Sequence, residues 1–347
     1  MILFRADGNA KVGYGHVMRC LSLADAFRGM GETCKFVLAG DDLKQRIEDR
    51  GYETFLLSTS FDEMEAELPQ LQKLLKEQNP TLLIVDSYYV SEAYFKALRS
   101  LGVKIVYVDD LGLAPYEVDA LLNYNLYATS IDYASLYANE TLPKLLLGTT
   151  YVPLRVQYAN VTPKETPKQV KNIFISTGGT DLIGLSKSLF DYVIGHREET
   201  IENTGFQYHF LLGGGNPFKD EILRYAEKEV SIKAYLNIPS IKPLLETCDL
   251  ALSAAGSTLY EICALGVPCI TYVLADNQLQ GNQAFEESGL MQSLGDLRDK
   301  ENLGEQAFKA IKSLADDYDR RVQISLKMQA FVDGHGAENA ANALLAL

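Results

Sequence analysis

The sequence predicts an α/β protein made of two doubly wound, Rossmann-like domains in series. Three observations carry this. Short apolar runs alternate with amphipathic stretches of helical spacing, the pattern of parallel β-α-β units. The scheme breaks at a polar stretch, residues 160–171 (NVTPKETPKQVK), and then restarts. The chain has 347 residues, more than one hydrophobic core usually serves. We therefore expect one domain over residues 1–160 and a second over 161–347, with the last helix able to pack back on the first.

Taken in order, the first strand is Ile2, Leu3 and Phe4. A polar loop from Arg5 to His16 follows, then a helix from about Val17 to Arg28, ended by Gly29 and Gly31. A strand over 34–38, a helix near 42–49 and a strand over 53–57 come next. The helix over 63–77 places Leu68, Leu71, Leu74 and Leu75 on one face, and Pro69 implies a kink or a later start. Residues 81–85 (TLLIV) are continuously apolar, as in a strand covered on both faces. A helix over 91–100 and a strand over 104–108 complete the first pattern, which loosens into turns and tyrosines over 109–150. The second half restarts with a strand over 172–176, a glycine turn at 177–180 and a helix over 182–194. Strands over 208–212, 232–235, 250–253 and 268–273 follow, and the tail from Asn302 is mostly helical.

The opening loop carries Arg5, Asp7, Gly13, Gly15 and His16 between a buried strand and a helix. An α/β sheet usually builds its ligand site beyond such a strand end. At the helix N-terminus, open N–H groups and the macrodipole disfavour an imidazolium, and a neutral imidazole suits a general base. A dinucleotide-binding turn is the plainer reading, but Met18 occupies the place of the third glycine of G-x-G-x-x-G. The other plain reading is a structural histidine. Two glycines and two charged residues in the same loop favour a site.

The second informative stretch is 249–278. A strand over 250–253 runs into Ala254, Ala255 and Gly256, and a helix starts at Ser257 or Thr258. Small residues there let an anion reach the helix N–H groups. Glu261, one turn in, suits a ribose diol, although Thr258 and Glu261 also fit a capping box. Asn277 and Gln278 follow the next strand, either facing the same cleft or only starting a helix. Gly178 and Gly179 turn at the end of the first strand of the second domain. Tyr88 and Tyr89 follow the 81–85 strand, where they are substrate contacts or half-buried packing.

Composition narrows the function. The formal charge is −14 and the pI about 4.8, so the overall field opposes nucleic acid and anionic membrane. The five cysteines (20, 34, 248, 263, 269) form no C-x-x-C pair, which points to core thiols in a reducing compartment rather than disulfides or zinc. The four histidines (16, 196, 209, 335) are widely spread. No signal peptide precedes the first strand and no apolar run approaches membrane-spanning length. A cytoplasmic protein is expected, without metal or cofactor.

Residues 4–9 (FRADGN) and 12–21 (VGYGHVMRCL) resemble the opening signature of the UDP-sugar hydrolases of pseudaminic acid biosynthesis. Also similar to that family are 83–88 (LIVDSY), Asp109–Asp110, Leu122–Asn123 with Asn125, Arg155, 178–181 (GGTD), 253–258 (SAAGST), Asn277–Gln278 and Asp333–Gly334. The second-domain pattern is also similar to GT-B glycosyltransferases. The resemblance implies a GT-B fold and hydrolysis of UDP-2,4-diacetamido-2,4,6-trideoxy-β-L-altropyranose. It implies His16 as the base that activates water and Tyr88 beside the sugar. Arg5, Asp7, Gly13, Gly15, Asn123, Arg155, Asn277 and Gln278 would complete the substrate side. Gly178, Gly179, Ser253, Ala254, Gly256, Ser257, Thr258 and Glu261 would hold UDP. Tyr260, where the family often has Trp, and Val156–Gln157 after Arg155 depart from the pattern. A GT-B glycosyltransferase and a non-catalytic nucleotide-sugar binder are the rival readings.

Overall fold

The computed structural model describes every residue except 10–12, 163 and 237. Val12 of the opening signature and Pro163 of the expected linker therefore lie outside the described residues. The chain divides into two compact units, Met1–Val156 with Gly334–Leu347, and Gln157–Asp333.

The first unit holds strands β1 (Ile2–Ala6), β2 (Cys34–Leu38), β3 (Glu53–Leu56), β4 (Leu82–Asp86), β5 (Lys104–Val108), β6 (Ala120–Asn123) and β7 (Lys144–Leu147). Its helices are α1 (Gly15–Gly29), α2 (Lys44–Glu48), α3 (Met64–Gln78), α4 (Glu92–Arg99), α5 (Tyr133–Leu136) and, from the C-terminus, α13 (Gly336–Leu345). The sheet order is β3-β2-β1-β4-β5-β6-β7, and the paired strands run parallel. Strands β1 and β4 are buried along their whole length, as the apolar runs Ile2–Phe4 and Leu82–Val85 require under helices on both faces. Tyr94, Phe95, Tyr107 and Tyr116 pack edge to face in the core beside β4 and β5. Helix α13 lies against the segment after β7, where Asn339 donates to the Thr150 carbonyl at 3.0 Å.

The second unit holds β8 (Asn172–Ser176), β9 (Gln207–Leu212), β10 (Ile232–Leu236), β11 (Leu250–Ala254), β12 (Cys269–Val273) and β13 (Gln292–Asp296). Its helices are α6 (Leu185–Gly195), α7 (Lys219–Ala226), α8 (Lys242–Thr247), α9 (Thr258–Leu265), α10 (Leu279–Glu287), α11 (Leu303–Asp316) and α12 (Tyr318–Phe331). The parallel order is β10-β9-β8-β11-β12-β13. In each sheet the order reverses once, between β1 and β4 and between β8 and β11. The ends of these strands are where an open α/β sheet takes its ligand.

Four local readings differ from the structure. The 109–150 region, expected as turns, contributes β6 and β7, and β13 is a further strand. Helix α3 starts at Met64 and continues through Pro69, so the proline does not delay it. Helix α6 starts at Leu185 rather than 182, because Asp181 and Gly184 adopt left-handed backbone (φ 49° and 67°) and turn the chain first.

Candidate active site

Strand β1 leads into the loop, and α1 opens at Gly15, which puts His16 at the second helical position. Its ring is buried, 6% exposed. His16 Nδ1 lies 2.6 Å from Asp86 Oδ1. Asp86 is the last residue of β4, and β4 pairs with β1 across the order reversal. A carboxylate only accepts, so a contact this short makes Nδ1 the N–H donor. That tautomer leaves Nε2 with the lone pair, the arrangement of a general base held by a carboxylate.

Arg19 lies one turn along α1 from His16. Its Nε donates to Asp86 Oδ2 at 2.6 Å and its Nη2 to Oδ1 at 2.5 Å. Its Nη1 donates to both oxygens of Asp110, at 3.0 and 2.9 Å, and to the Tyr124 hydroxyl at 2.7 Å. Burial works to raise the pKa of the Asp86 carboxyl, but the Arg19 charge and the hydrogen bonds from Arg19 and His16 outweigh it and hold it well below the ordinary carboxylate value. Burial works to lower the pKa of the Arg19 guanidinium, and Asp110 and Asp86 instead raise it well above its usual value. The Asp86 charge is thus fixed beside His16. Asp110 also accepts from Tyr88 Oη at 2.9 Å and Asn125 Nδ2 at 2.8 Å. The Tyr88 ring stands edge-on to the His16 ring, with centroids 4.5 Å apart and planes at 78°.

The other first-unit candidates fall into two groups. Arg5 is entirely buried, donating from Nε to Glu67 at 2.7 Å, from Nη2 to Glu67 at 2.5 Å, and to Asp7. Asp7 also accepts from the Ala39 N–H at 2.8 Å. Asn123 is buried too, donating to Tyr133 Oη at 3.0 Å and accepting from the Asn125 N–H at 3.1 Å. Both polar groups are thus hydrogen-bonded inside the protein. Gly13 pairs with Asn9 through two backbone bonds and adopts φ 79°, a conformation that favours glycine. A Cβ on Gly15 would meet nothing within 4 Å, so the protein itself does not demand glycine there. Arg155 is half-buried, and together with burial its charge lowers the pKa of Arg46.

In the second unit, Ser253 and Ala254 end β11 and α9 begins at Thr258. The capping-box alternative is not formed: Thr258 lies inside the helix, and Ser257, the N-cap residue, makes no side-chain cap bond. The Gly256 N–H bonds the Ala254 carbonyl at 2.8 Å, and Leu259 and Tyr260 bond back to Gly256 and Ser257. Among the described residues the Ser257 and Thr258 N–H groups make no such backbone bond. A Cβ on Gly256 would meet nothing within 4 Å, so the glycine leaves open space over the turn. Gly178 adopts φ 76°, and a Cβ on Gly213 would lie 2.2 Å from the Gly179 oxygen. The glycines after β9 therefore serve close packing against the Gly178–Gly179 turn. Asn277 is exposed in a 3-10 turn that leads directly into α10, and Gln278 Oε1 accepts from the Leu274 N–H at 2.9 Å.

The structure thus brings His16 and Tyr88 together and adds Asp86, Arg19 and Asp110, to which the sequence reading assigned no role. The available signals were the acidic residue closing the apolar LLIVD run, an arginine three residues after the histidine, and the acidic pair ending β5. Among the described residues no three His, Cys, Asp or Glu side chains converge as a metal ion would require.

Two doubly wound parallel sheets with these strand orders define the two-Rossmann GT-B architecture. Acinetobacter baumannii MurG aligns over 100% of this chain and 99% of its own, with a TM-score of 0.65 and 11% identity. UDP-GlcNAc 2-epimerase from Neisseria meningitidis, bound to UDP-GlcNAc, aligns over 100% of both chains at TM-score 0.66 and 12% identity. At these identities the likeness shows the fold. Curated relatives are more specific. The UDP-2,4-diacetamido-2,4,6-trideoxy-beta-L-altropyranose hydrolase of Campylobacter jejuni is 26% identical over 75% of this chain and 86% of its own. A Helicobacter pylori protein named as both pseudaminic acid cytidylyltransferase and that hydrolase is 24% identical over 84% of this chain and 48% of its own. An uncharacterized protein of Methanocaldococcus jannaschii is 25% identical over 79% of this chain and 55% of its own. The chain thus spans about half the length of these last two relatives. No family model matches the chain.

Proposed function

We propose that the protein hydrolyses a UDP-activated 2,4-diacetamido-2,4,6-trideoxyhexose, UDP-2,4-diacetamido-2,4,6-trideoxy-β-L-altropyranose, in the cytoplasm as a step of pseudaminic acid biosynthesis. The observation that carries the reading is the 2.6 Å His16–Asp86 contact at the order reversal of the first sheet. It is supported by the hydrolase name of two relatives. His16 Nε2 takes a proton from water, and the water oxygen bonds to the anomeric carbon. The bond from that carbon to the β-phosphate oxygen breaks, and UDP leaves with the electron pair. One displacement inverts the anomeric configuration. Asp86 keeps the His16 tautomer and balances the imidazolium that forms. Tyr88, and with it Asp7, Gly13, Gly15, Arg155, Asn277 and Gln278, is assigned to the sugar side. Arg5 and Asn123 hold the strand ends in place.

The second unit binds the nucleotide. The open N–H groups of Ser257 and Thr258 receive the diphosphate, Gly256 leaves it room, Gly178–Gly179 and Ser253–Ala254 shape the turn, and Glu261 takes the ribose diol. Gly256→Val is expected to abolish measurable UDP binding by calorimetry while the thermal midpoint changes little. Glu261→Gln is expected to weaken UDP by about 1–3 kcal/mol, the worth of a charged hydrogen bond. A lowered thermal midpoint with unchanged UDP affinity would make Glu261 structural.

The reaction uses no cofactor and no metal, because UDP is a good leaving group and the helix N-terminus stabilises its growing charge. Excess EDTA should leave the rate unchanged; loss of rate restored by magnesium or manganese would refute this. The reading as a whole is tested by incubating the protein with a panel of UDP-2,4-diacetamido sugars and no acceptor, and measuring UDP release. UDP bound but never produced would favour the non-catalytic binder. A glycosyltransferase, the rival with the same GT-B fold, would release UDP only with an acceptor hydroxyl.

A further inference from the structure

We infer that a cavity at the carboxyl ends of β1, β2 and β3 is a subsite for an acylamino substituent of the sugar, an inference that rests on the hydrolase reading above. The cavity encloses about 170 Å³ and is lined by Asp7, Leu38, Gly40, Asp42, Leu43 and Phe61 among others. This is roughly the share of five or six waters, enough for the four heavy atoms of an acetamido group.

The lining defines what enters. Asp7 divides its carboxylate between Arg5 and the Ala39 N–H, and Arg5 already faces Glu67. Two carboxylates against one guanidinium leave a net negative charge, to which Asp42 adds another. The Asp42 side chain has no partner among the described residues. A phosphate is repelled by such a wall, whereas an N–H donor is attracted. Leu38 and Leu43, both buried, and the half-buried Phe61 supply the apolar part of the lining, beside the polar Thr59 and Ser60. Leu43 lies against the opening loop so closely that a Cβ on Gly8 would come within 2.5 Å of its Cδ1. The N–H groups of Gly40 and Asp42, both lining residues, make no hydrogen bond with described residues. An acylamino group offers the matching set: one N–H for a carboxylate, one carbonyl for a backbone N–H, and a methyl for the leucines. An ammonium would satisfy the carboxylates but leave Leu38, Leu43 and Phe61 without an apolar partner.

The position suits a substituent of the reacting sugar. His16 and Asp86 lie on the β4 side of β1 and the cavity on the β2 side. Neighbouring strands are about 4.8 Å apart, so the ends of β2 and β4 are separated by about 10 Å. An acylamino arm on a pyranose ring beside His16 spans that distance.

Gly40→Leu and Asp42→Asn test the subsite. The Gly40 backbone is outside the left-handed region, and a Cβ there makes an ordinary 3.6 Å contact with Asp42, so leucine is accommodated and takes up the room. Free N-trifluoroacetylglucosamine, followed by fluorine NMR, should broaden with the wild-type protein and stay sharp with Gly40→Leu. With the UDP-diacetamido sugar as substrate, kcat/KM should fall at least tenfold in Gly40→Leu and several-fold in Asp42→Asn. Turnover of the N-deacetylated sugar should fall less, and UDP affinity should stay the same. Equal losses on both sugars, a preference for the free amine, or a fluorine signal broadened equally by wild type and Gly40→Leu would overturn the subsite. If the wild type releases UDP from no diacetamido sugar, the hydrolase reading fails, and the fluorine comparison still decides the cavity.

Discussion

His16→Asn is expected to lower kcat by roughly 10²–10⁴, the usual worth of general-base catalysis, with little change in UDP affinity. Asparagine keeps a polar group near Asp86 but cannot accept the proton from water. Single-turnover rates, together with UDP calorimetry, check this. A variant that turns over near the wild-type rate would make His16 structural and move the base elsewhere, with Asp7 the next candidate.

Asp86→Asn is expected to cost a comparable factor, about 10²–10⁴, by letting the imidazole take the wrong tautomer, as when the carboxylate of a catalytic triad becomes an amide. It should also be less stable. Arg19 is buried, and Asp86 meets it through two short bonds; removing one partner of a buried pair typically costs about 3–5 kcal/mol. Thermal melts and kcat on the folded fraction separate the two effects. The wild type also has an acid dependence that the variant should lose. The Asp86 carboxyl sits below its unfolded value of about 3.9, so as pH falls the unfolded chain takes up this proton first. Its stabilisation is complete above about pH 5 and declines as acid approaches the folded value. Chemical denaturation between pH 3 and 7 should show that slope in the wild type and a flatter one in Asp86→Asn.

Where the sequence was legible, the reason is physical. Strands β5 and β8 match the expected ranges because continuous apolar runs bounded by polar residues have few alternatives. The loss of pattern over 109–150 came from length: β6 and β7 have four residues each, and the helix between them also has only four. β13 reads QSLGD and is half-buried along its length, so it carried no apolar signal. In the site, His16 stood out because a strand, two glycines and a helix start are all local. Asp86 is 70 residues away, and only the crossover that puts β4 beside β1 makes it a partner. The same holds for Asp110, reached from Arg19 across 91 residues. Arg5 and Asn123 are buried and hydrogen-bonded within the first unit, which residue type alone did not announce.

In the proposed reaction water, activated by His16 in the tautomer fixed by Asp86, displaces UDP directly. The most direct measurement is time-resolved proton NMR of the anomeric signals, with the UDP-2,4-diacetamido-2,4,6-trideoxy-β-L-altropyranose substrate and no acceptor. Free sugar is expected to appear first in the inverted anomeric form, one per UDP, before mutarotation sets in. A first product with retained configuration, or no free sugar until an acceptor is added, would contradict this.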